Sequence, residues 1–366
     1  MVSVRKTIRC KINNPTKLKV SMISSELDRI NELMQFQSVG LEYSDLYLNL
    51  KKKVNSGNLH EAERKLKKYK HSCMPLIIRK DLIKVKKTSN KLSKYWIRIP
   101  VKAKRGGIWL PISSQPFDFE SYEICESKIY RKGKDWFVNI TVQKDIELSD
   151  TYTSTLAIDL GEKYMGCSVN SSDTSLKPTF YGKEVRGIRR KYSYIRNKLQ
   201  KKGLIKEVKR LGNIEKRKVT DTLNKISSRI VKEALTSNSL IVLGDLKGIR
   251  NYAKGKGRRF NRIVSNMPYY QLTSMIEHKA NWNGVRVLKI PEAYTSKTCS
   301  KCGSRNTSRQ KQSLFKCKDC GFSLNADLNG SRNILKRSNE YILSDGVSVN
   351  MPKTELINSE AYLLQR

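Results

Sequence analysis

The spacing of apolar residues changes twice in the N-terminal part of the chain. The opening segment MVSVRKTIRCKI predicts a short strand, and from Lys19 to Lys70 apolar residues recur at helical spacing, as in SSELDRINELMQF. Between Ser93 and Val142 the pattern becomes one of short segments rich in β-branched and aromatic residues, separated by Gly, Pro and Lys-Gly-Lys turns. This part of the chain therefore predicts a small β-barrel with helices inserted after its first strand.

The C-terminal part of the chain predicts an α/β sheet domain from about residue 152 to 338. Strands are expected at LAIDLG, LIVLGDL and VRVLKI, and the continuous apolar run of LIVLGDL is typical of a strand in a parallel sheet. The segments DTLNKISSRIVKEAL and PYYQLTSMIEHKANWNG have the spacing of amphipathic helices. Strands and helices thus alternate, as they do in α/β proteins.

The net charge of the chain indicates which kind of molecule it binds. Its 366 residues include 73 Lys and Arg against 33 Asp and Glu, which gives a formal net charge of +40. Such an excess attracts polyanions, of which nucleic acid is the commonest. A membrane partner is not expected, because no apolar run approaches the roughly 20 residues that span a bilayer. The N-terminal residues also lack the apolar core of a signal peptide, so we expect a cytoplasmic protein.

Four of the eight cysteines form two Cys-x-x-Cys pairs, each followed by glycine. Such a pair places two thiolates on one tight turn, and two pairs complete the tetrahedral coordination of Zn²⁺. Four thiolates leave no open position on the ion, so the zinc would be structural. Reduced thiols without metal are the alternative. The predicted zinc ligands are Cys299, Cys302, Cys317 and Cys320.

Only three histidines are present, which favours carboxylates with metal ions over histidine-based catalysis. Asp159 lies within the apolar segment LAIDLG, where a charge is unfavourable unless it is paired or binds a metal ion. Its alternative role is to cap the turn at Gly161. Asp327, within NADLNGSRNIL, could bind a metal ion or could simply cap a helix N-terminus.

Four segments together resemble the TnpB (OrfB) proteins encoded by transposons, which are compact relatives of the type V CRISPR effectors. The segments are IDLG, LGDL, YTSKTCSKCG with CKDCG, and ADLNGSRNI, and the resemblance covers about residues 90–338. It implies an α/β RNase H-like (RuvC) domain with a zinc ribbon insert, preceded by an OB-like β-barrel (wedge) domain with a helical insert. A guide RNA transcribed from the element's end, which directs cleavage of matching double-stranded target DNA, is implied as well.

The resemblance also implies boundaries for these domains. The expected segments are the first wedge-barrel strand (1–18), the helical recognition insert (19–90), the wedge β-barrel (91–150), the first part of the RuvC-like domain (151–292), the zinc ribbon (293–324), the final RuvC helix (325–338) and the C-terminal tail (339–366).

In the family, three acidic side chains hold two divalent ions, usually Mg²⁺, which activate water and stabilise the leaving oxygen. Asp159 and Asp327 match the first and the last of these residues, but Gly244 stands where the family usually has its middle Glu. Strand alternation should turn the neighbouring Asp245 to the other face. Either the protein is a nuclease-dead, RNA-guided DNA-binding repressor, or Glu292 replaces the missing carboxylate.

We favour the second hypothesis, in which the carboxylate has moved to an adjacent strand. Glu292 follows the strand VRVLKI, and parallel α/β sheets gather ligands at the carboxyl ends of their strands. An exposed loop carboxylate is the alternative for this residue. The predicted catalytic residues and magnesium ligands are therefore Asp159, Glu292 and Asp327.

The basic segments Lys183–Lys218 and Lys254–Arg262 are the candidate nucleic-acid surface. A guide–target duplex is recognised through its backbone, so many Lys and Arg without a base-reading motif are expected. Any single basic run could instead be a solvated surface, and a zinc-ribbon nucleic-acid protein without a guide is a third hypothesis. The candidate residues are Arg189, Arg190, Lys191, Lys201, Lys202, Lys209, Arg210, Lys254, Lys256, Arg258 and Arg259.

Overall fold

The structure of the chain is a computed structural model. It describes residues 1–37, 43–65, 73–89, 91–113, 117–246, 257, 261, 267–311, 313–344 and 346–349. Contacts divide the chain into two compact units, one of Ser3–Asp145 and one of Ile146–Arg366 with Met1–Val2. The division falls at the start of the polar joint IELSDTYTS, where the pattern of apolar positions also changes.

The first unit combines antiparallel strands with three helices. Strands β1, β8, β7 and β2 form one sheet in that order with β6 on β8, and β3, β4 and β5 form a second sheet. A bridge between Ile12 and Ile112 joins the two sheets. The elements are β1 (Val2–Lys11), α1 (Lys17–Gln37), α2 (Tyr43–Lys53), α3 (Ser56–Lys65), β2 (Leu76–Ile78), β3 (Lys84–Lys87), β4 (Tyr95–Val101), β5 (Lys104–Ile112), β6 (Glu123–Ile124), β7 (Ser127–Lys132) and β8 (Asp135–Ile146).

The helices of this unit are fixed to its strands by a buried carboxylate. Glu26 of α1 accepts hydrogen bonds from the backbone N–H of Asn55 at 2.7 Å and from the side-chain amide of Asn58 at 2.9 Å. Its second oxygen accepts a bond from the backbone N–H of Lys102 at 3.2 Å, between β4 and β5. Because a buried carboxylate needs such donors, the three bonds determine where α1 lies against α3 and this turn.

Two strands lie inside the segment predicted as a helical insert. Helices occupy Lys17–Gln37, Tyr43–Lys53 and Ser56–Lys65, but β2 and β3 follow them before residue 90. Strand β2 pairs with β7 and β3 pairs with β4, so both belong to the sheets. These strands of three and four residues are too short for apolar periodicity to distinguish them from loop.

The described residues of the second unit form a five-stranded sheet, a small three-stranded sheet, a two-stranded pair and four helices. In chain order the elements are β9 (Thr151–Tyr152), β10 (Ser154–Asp159), β11 (Gly166–Asn170), β12 (Thr179–Tyr181), α4 (Lys183–Lys201), α5 (Ile205–Thr236), β13 (Ser239–Asp245), α6 (Tyr269–Trp282), β14 (Val287–Pro291), β15 (Thr307–Lys311), β16 (Leu314–Cys317), β17 (Ser323–Asn325), α7 (Ala326–Ser344) and β18 (Ser348–Val349).

The five-stranded sheet has the order β12-β11-β10-β13-β14. Strands β10, β13 and β14 are parallel, whereas β10–β11 and β11–β12 are antiparallel. Leu240, Ile241, Val242 and Leu243 of β13 are all fully buried, as expected of a central parallel strand covered on both faces. The carboxyl ends of β10, β13 and β14 consequently meet at one edge of the sheet.

The final helix extends beyond its predicted end at residue 338. Helix α7 continues to Ser344, and Ile342 and Val347 are buried in the core of the unit. Strand β18 then pairs in parallel with β9. The first residues of the predicted polar tail are therefore part of the fold, because Ile342 and Val347 supply apolar surface to its core. No helix in the part of the chain that the structure describes combines the length and apolar character needed to cross a bilayer.

Candidate metal centres

Four cysteines gather into one cluster at the tip of the small sheet. The sulfur atoms of Cys299, Cys302, Cys317 and Cys320 all lie within 4.8 Å of one another. The Sγ–Sγ distance is 3.8 Å between Cys299 and Cys320 and 3.6 Å between Cys302 and Cys317. A tetrahedral zinc ion with Zn–S bonds of about 2.3 Å requires sulfurs about 3.8 Å apart. The cluster could therefore hold a zinc ion without rearrangement.

Two tight turns create this geometry. Gly303 has φ 77° and Gly321 has φ 69°, a left-handed conformation that glycine adopts without strain. In the first turn the backbone N–H of Gly303 donates to the carbonyl of Cys299 at 2.9 Å. In the second, the backbone N–H of Cys320 lowers the pKa of the Cys317 thiol to about 7. A thiol held closer to its thiolate form is a better metal ligand.

A second candidate centre lies at the carboxyl edge of the five-stranded sheet. Asp159 is the last residue of β10 and is only 8% exposed. Asp327 is in the first turn of α7, and Asn325 provides the cap by accepting a hydrogen bond from the backbone N–H of Asp327 at 2.9 Å. Since Asn325 serves as the cap, the carboxylate of Asp327 is available for another role.

Glu292 directly follows β14, next to the position where the middle carboxylate is missing. In the register of the parallel pair, Gly244 of β13 faces Ile290 and Asp245 faces Pro291. A Cβ atom added at Gly244 would lie 2.0 Å from Oε1 and 2.2 Å from Cγ of Glu292. The Glu292 side chain therefore fills the space in which a side chain at position 244 would begin, and its Oε1 is buried there without a hydrogen-bond partner.

Glycines also lie against the other two carboxylates, those of Asp159 and Asp327. A Cβ atom at Gly330, one turn into α7, would lie 2.4 Å from Oδ2 of Asp159. At Gly161, after β10, it would lie 3.3 Å from Oδ1 of Asp327. Each of the three carboxylates thus occupies space that a neighbouring glycine leaves free. The sequence did not predict the role of Gly330, although its position three residues after Asp327 is a local signal.

Burial and mutual repulsion shift the acidity of this centre. Burial, with repulsion from Asp327, raises the pKa of Asp159 to about 7. Burial also raises the pKa of Glu292 to about 8, with contributions from Asp159 and Asp245. The pKa of Asp327 is raised by burial, against which the cations Arg309 and Lys163 act. The protein thus holds carboxylates close together with little compensating positive charge.

The donor set of this centre fits hard divalent cations. Oε1 of Glu292 and Oδ2 of Asp327 are buried and have no hydrogen-bond partner in the protein. Carboxylate oxygens are the ligands that Mg²⁺ prefers. Among the described residues, however, only the cysteines bring three or more ligand atoms within 4.8 Å of one another. The oxygens of Asp159, Glu292 and Asp327 therefore do not all lie within 4.8 Å of one another.

The two centres are joined at the base of the small sheet. The side chain of Asn329 in α7 accepts a hydrogen bond from the backbone N–H of Ser300 at 3.0 Å and donates to the carbonyl of Thr298 at 2.8 Å. Asn333 donates to the carbonyls of Thr295 and Thr298, at 2.7 Å each. Since Asn329 lies two residues after Asp327, α7 fixes both the acidic centre and the cysteine turn. The sequence did not predict either asparagine as a link.

Three further side chains belong to the surroundings of the acidic centre and were also not predicted. Arg309 of β15 opposes the rise in the pKa values of Asp159 and Asp327. Lys163, in the turn after β10, acts on Asp327 in the same way. Tyr269, the first residue of α6, is half-buried, and burial together with the facing carboxylates raises the pKa of its hydroxyl. Their sequence separation gave no signal of this convergence.

Most of the candidate nucleic-acid residues that the structure describes are exposed on α4 and α5. Arg190, Lys191, Lys201, Lys202, Lys209 and Arg210 are exposed. Arg189 is half-buried, and burial lowers the pKa of its guanidinium, so it is less available than the others. Four candidates lie outside the described residues: Lys254, Lys256, Arg258 and Arg259.

The chain is similar in sequence to several known proteins. A family model described as Cas12f1-like, TNB domain, matches residues 269–334. A TnpB-like protein of Methanocaldococcus jannaschii is 32% identical over 214 residues, which are 56% of this chain and 74% of that relative. A CRISPR-associated endodeoxyribonuclease Cas12f1 of Sulfoacidibacillus thermotolerans is 27% identical over 253 residues, which are 62% of this chain and 56% of that protein.

The fold is similar to that of a solved Cas12f1 structure, determined by cryo-electron microscopy as a complex with guide RNA and target DNA. The TM-score is 0.56 at 17% identity, and the match covers 87% of this chain and 80% of the other. The fold is thus that of the RuvC-containing Cas12 effectors. Within this class, the sequence similarity to the M. jannaschii relative shows that the chain belongs to the TnpB family.

Proposed function

We propose that this protein is an RNA-guided DNA endonuclease of a transposable element, with a nuclease centre formed by Asp159, Glu292 and Asp327. Its guide RNA would be transcribed from the end of the element, and its target would be double-stranded DNA. Relatives carry the names TnpB-like protein and endodeoxyribonuclease, which supports the activity. The net charge of +40 supports a polyanionic partner.

One observation carries the proposal for the nuclease centre. The Glu292 carboxyl group lies where a side chain at Gly244 would begin, 2.0 Å from the added Cβ. Glutamate side chains at positions 244 and 292 would occupy the same space. The presence of Glu292 therefore fits the absence of the family's usual glutamate at position 244. Glu292 is half-buried and has a buried, unpartnered oxygen, which an exposed loop carboxylate would not have.

Asp159, Glu292 and Asp327 would hold divalent ions, most suitably Mg²⁺. Bound there, the ions would supply a Lewis acid for the scissile phosphate and activation of a water molecule. The protein contributes a rigid acidic edge, because each carboxylate lies against a glycine and on a different element. Lys163 and Arg309 reduce the negative charge around Asp327. They would therefore lessen the repulsion between the acidic centre and an approaching phosphate.

The four cysteines would hold a structural Zn²⁺ ion. Their sulfur distances fit a closed tetrahedral site with no position for substrate. Through Asn329 and Asn333, the cysteine turn is hydrogen-bonded to the helix that carries Asp327. The zinc would therefore support the position of one acidic residue without taking part in the chemistry.

The second candidate function, guided DNA binding without cleavage, is favoured by Gly244 alone. A cleavage assay separates the two functions. The protein with its guide RNA and Mg²⁺ should cut a matching plasmid, whereas Glu292→Ala should bind the plasmid with unchanged affinity and leave it intact. A matched control is Glu277→Ala, which removes a carboxylate ion-paired with Lys289 outside the centre and should cut normally.

The outcomes of this assay are distinct. Normal cutting by Glu292→Ala would show that the carboxylate has not been relocated. A wild type that binds its guided target without ever cutting it would leave the repressor as the function. Guide dependence is tested by omitting the RNA, since a zinc-ribbon nucleic-acid protein without a guide would bind the plasmid equally well in both cases.

A further inference from the structure

A cavity of about 300 Å³ lies next to the acidic centre and has no role in the function proposed above. It is lined by residues from the turn after β10, from β12, from the start of α4 and from α5. Its lining residue Tyr164 lies close to the centre, since a Cβ atom at Gly161 would lie 3.2 Å from the Tyr164 carbonyl and 3.3 Å from Asp327 Oδ1. The cavity and the carboxylates thus share one turn.

Tyr164, Phe180, Tyr181 and Ile226 form the apolar part of the cavity, and the first two rings are in contact. The ring centroids of Tyr164 and Phe180 are 4.6 Å apart, with an angle of 39° between the ring planes. Phe180 is 36% exposed, an unusual degree of exposure for an apolar ring in a unit with a well-packed core. Lys163, whose charge acts on Asp327, also lies 5.5 Å from the centroid of the Tyr164 ring. The ring pair therefore lies beside a cation that also acts on the acidic centre.

The charged part of the lining is mainly cationic. Lys183, Lys225 and Arg229 are exposed and line the cavity, against a single acidic residue, Glu184. Lys225 is ion-paired with Asp221 at 2.7 Å, so Lys183 and Arg229 are the cations more available to a ligand. Exposed rings beside cations match the faces of nucleobases and the charge of their phosphates. This combination does not suit an apolar peptide or a lipid chain.

We propose that this cavity, the Tyr164–Phe180 pocket, binds one unpaired base of the DNA strand that is cut. The base stacks on the exposed ring of Phe180, and adjoining phosphates lie against Lys183 and Arg229. The base must be unpaired, because the faces of a base inside a duplex are covered by its neighbours. The inference rests on the proposed nuclease function and adds to it a place on the protein for one base of the bound strand.

The test measures binding without cleavage. Full-length protein in buffer without added Mg²⁺ or Mn²⁺ is titrated against a fluorescent single-stranded oligothymidylate that does not match any guide, and anisotropy gives the dissociation constant. Phe180→Ala should weaken binding about 5- to 150-fold, the usual range for loss of one stacked base. Leu235→Ala is the control, because Leu235 is 46% exposed near the end of α5, outside the candidate nucleic-acid surface, and does not line the pocket; it should change affinity by less than about twofold.

A second comparison separates stacking from charge and from misfolding. An oligonucleotide of the same length with only abasic sites should bind wild type and Phe180→Ala equally. Phe180→Leu keeps apolar volume without a ring, so its melting temperature should equal that of wild type while its affinity for oligothymidylate falls. Equal affinity of wild type and Phe180→Leu for oligothymidylate, with both folded, would overturn the pocket.

Failure of the pocket is distinguishable from failure of the nuclease. The binding measurement needs neither metal ions nor a guide, whereas the nuclease proposal is tested by cutting in Glu292→Ala. If Phe180→Ala binds oligothymidylate as tightly as wild type and Glu292→Ala does not cut, the nuclease proposal stands and the pocket proposal is wrong. If Phe180→Ala binds more weakly and Glu292→Ala cuts normally, the pocket proposal stands and the proposed role of Glu292 is wrong.

Discussion

The cysteine cluster and the acidic centre both bring together side chains that could bind metal ions, but they do so in different ways. The four cysteines come from one segment, Cys299–Cys320, and two tight turns bring them together. The acidic residues come from the end of β10, the end of β14 and the start of α7, so they meet only when the sheet and the helix are packed. A site whose ligands all come from one short segment depends on the position of every ligand in that segment. A site built from several elements can accept one ligand from a neighbouring strand.

The largest expected effect is loss of the local site. Cys317→Ser, or removal of zinc by a strong chelator, should unfold the small sheet, because binding of structural zinc supplies about 10–16 kcal/mol of folding energy. Amide hydrogen exchange in β15–β17 should become fast, and elemental analysis should find no zinc. Cys73→Ser, an exposed cysteine of the other unit, is the control and should retain one zinc per chain. Retention of zinc by Cys317→Ser would contradict the assigned ligand set.

The second prediction tests whether the acidic centre accepts its third carboxylate from either strand. Glu292→Gly should reduce guided cleavage by at least about a thousandfold, which is typical of removing a principal catalytic group. Gly244→Glu alone should also reduce it, since the two side chains would collide. The double substitution Gly244→Glu with Glu292→Gly should recover much of the activity. A double variant as inactive as either single variant would show that the two strands are not interchangeable.

The third prediction concerns the space that the glycines leave. Gly244→Ala and Gly330→Ala should each displace a carboxylate, because the new Cβ would lie 2.0 Å from Glu292 and 2.4 Å from Asp159, respectively. Affinity for Mn²⁺, measured by calorimetry, should fall about 10- to 100-fold, as it does when groups that orient ligands are lost. Gly187→Ala in α4 meets no atom within 4 Å and should leave Mn²⁺ affinity unchanged. An unchanged affinity in Gly244→Ala would show that Glu292 is not a ligand.

The smallest expected effect is on stability without metal ions. The carboxyl pKa values of Asp159 and Glu292 are raised to about 7 and about 8, so the folded state holds protons that the unfolded state releases near pH 4. The metal-free protein should therefore lose stability as the pH rises from about 5 to about 8. Melting temperatures in EDTA should show this decline, and Asp159→Asn should reduce it. Mn²⁺ should raise the melting temperature more at pH 8 than at pH 6, because binding requires ionised carboxylates.

A melting temperature that is independent of pH in EDTA would contradict these raised pKa values. The cysteine cluster must keep its zinc for this comparison, because zinc lost to EDTA would lower the melting temperature for a reason unrelated to the carboxylates. Zinc content should therefore be measured in each sample alongside the melting temperature.

Much of the molecule could be predicted from the sequence because the signals are local. The cysteine pairs and the glycines after them identify their own cluster, and the apolar run LIVLGDL identifies a buried parallel strand. Strands β2 and β3 were missed because they are short, and the end of α7 was missed because its buried residues lie in a polar context. Short elements draw their stability from the strands they join, which no local pattern reports.

The sequence by itself determined the three parallel strands of the five-stranded sheet, the cysteine turns and the identity of Asp159, Asp327 and Glu292 as candidate ligands. Only the tertiary structure decided that the Glu292 side chain occupies the space over Gly244, and that Gly330 and Gly161 lie against the other two carboxylates. The reason is physical: turns act over a few residues, whereas the distance between a carboxylate and a glycine on another strand is set by packing of the whole sheet against α7.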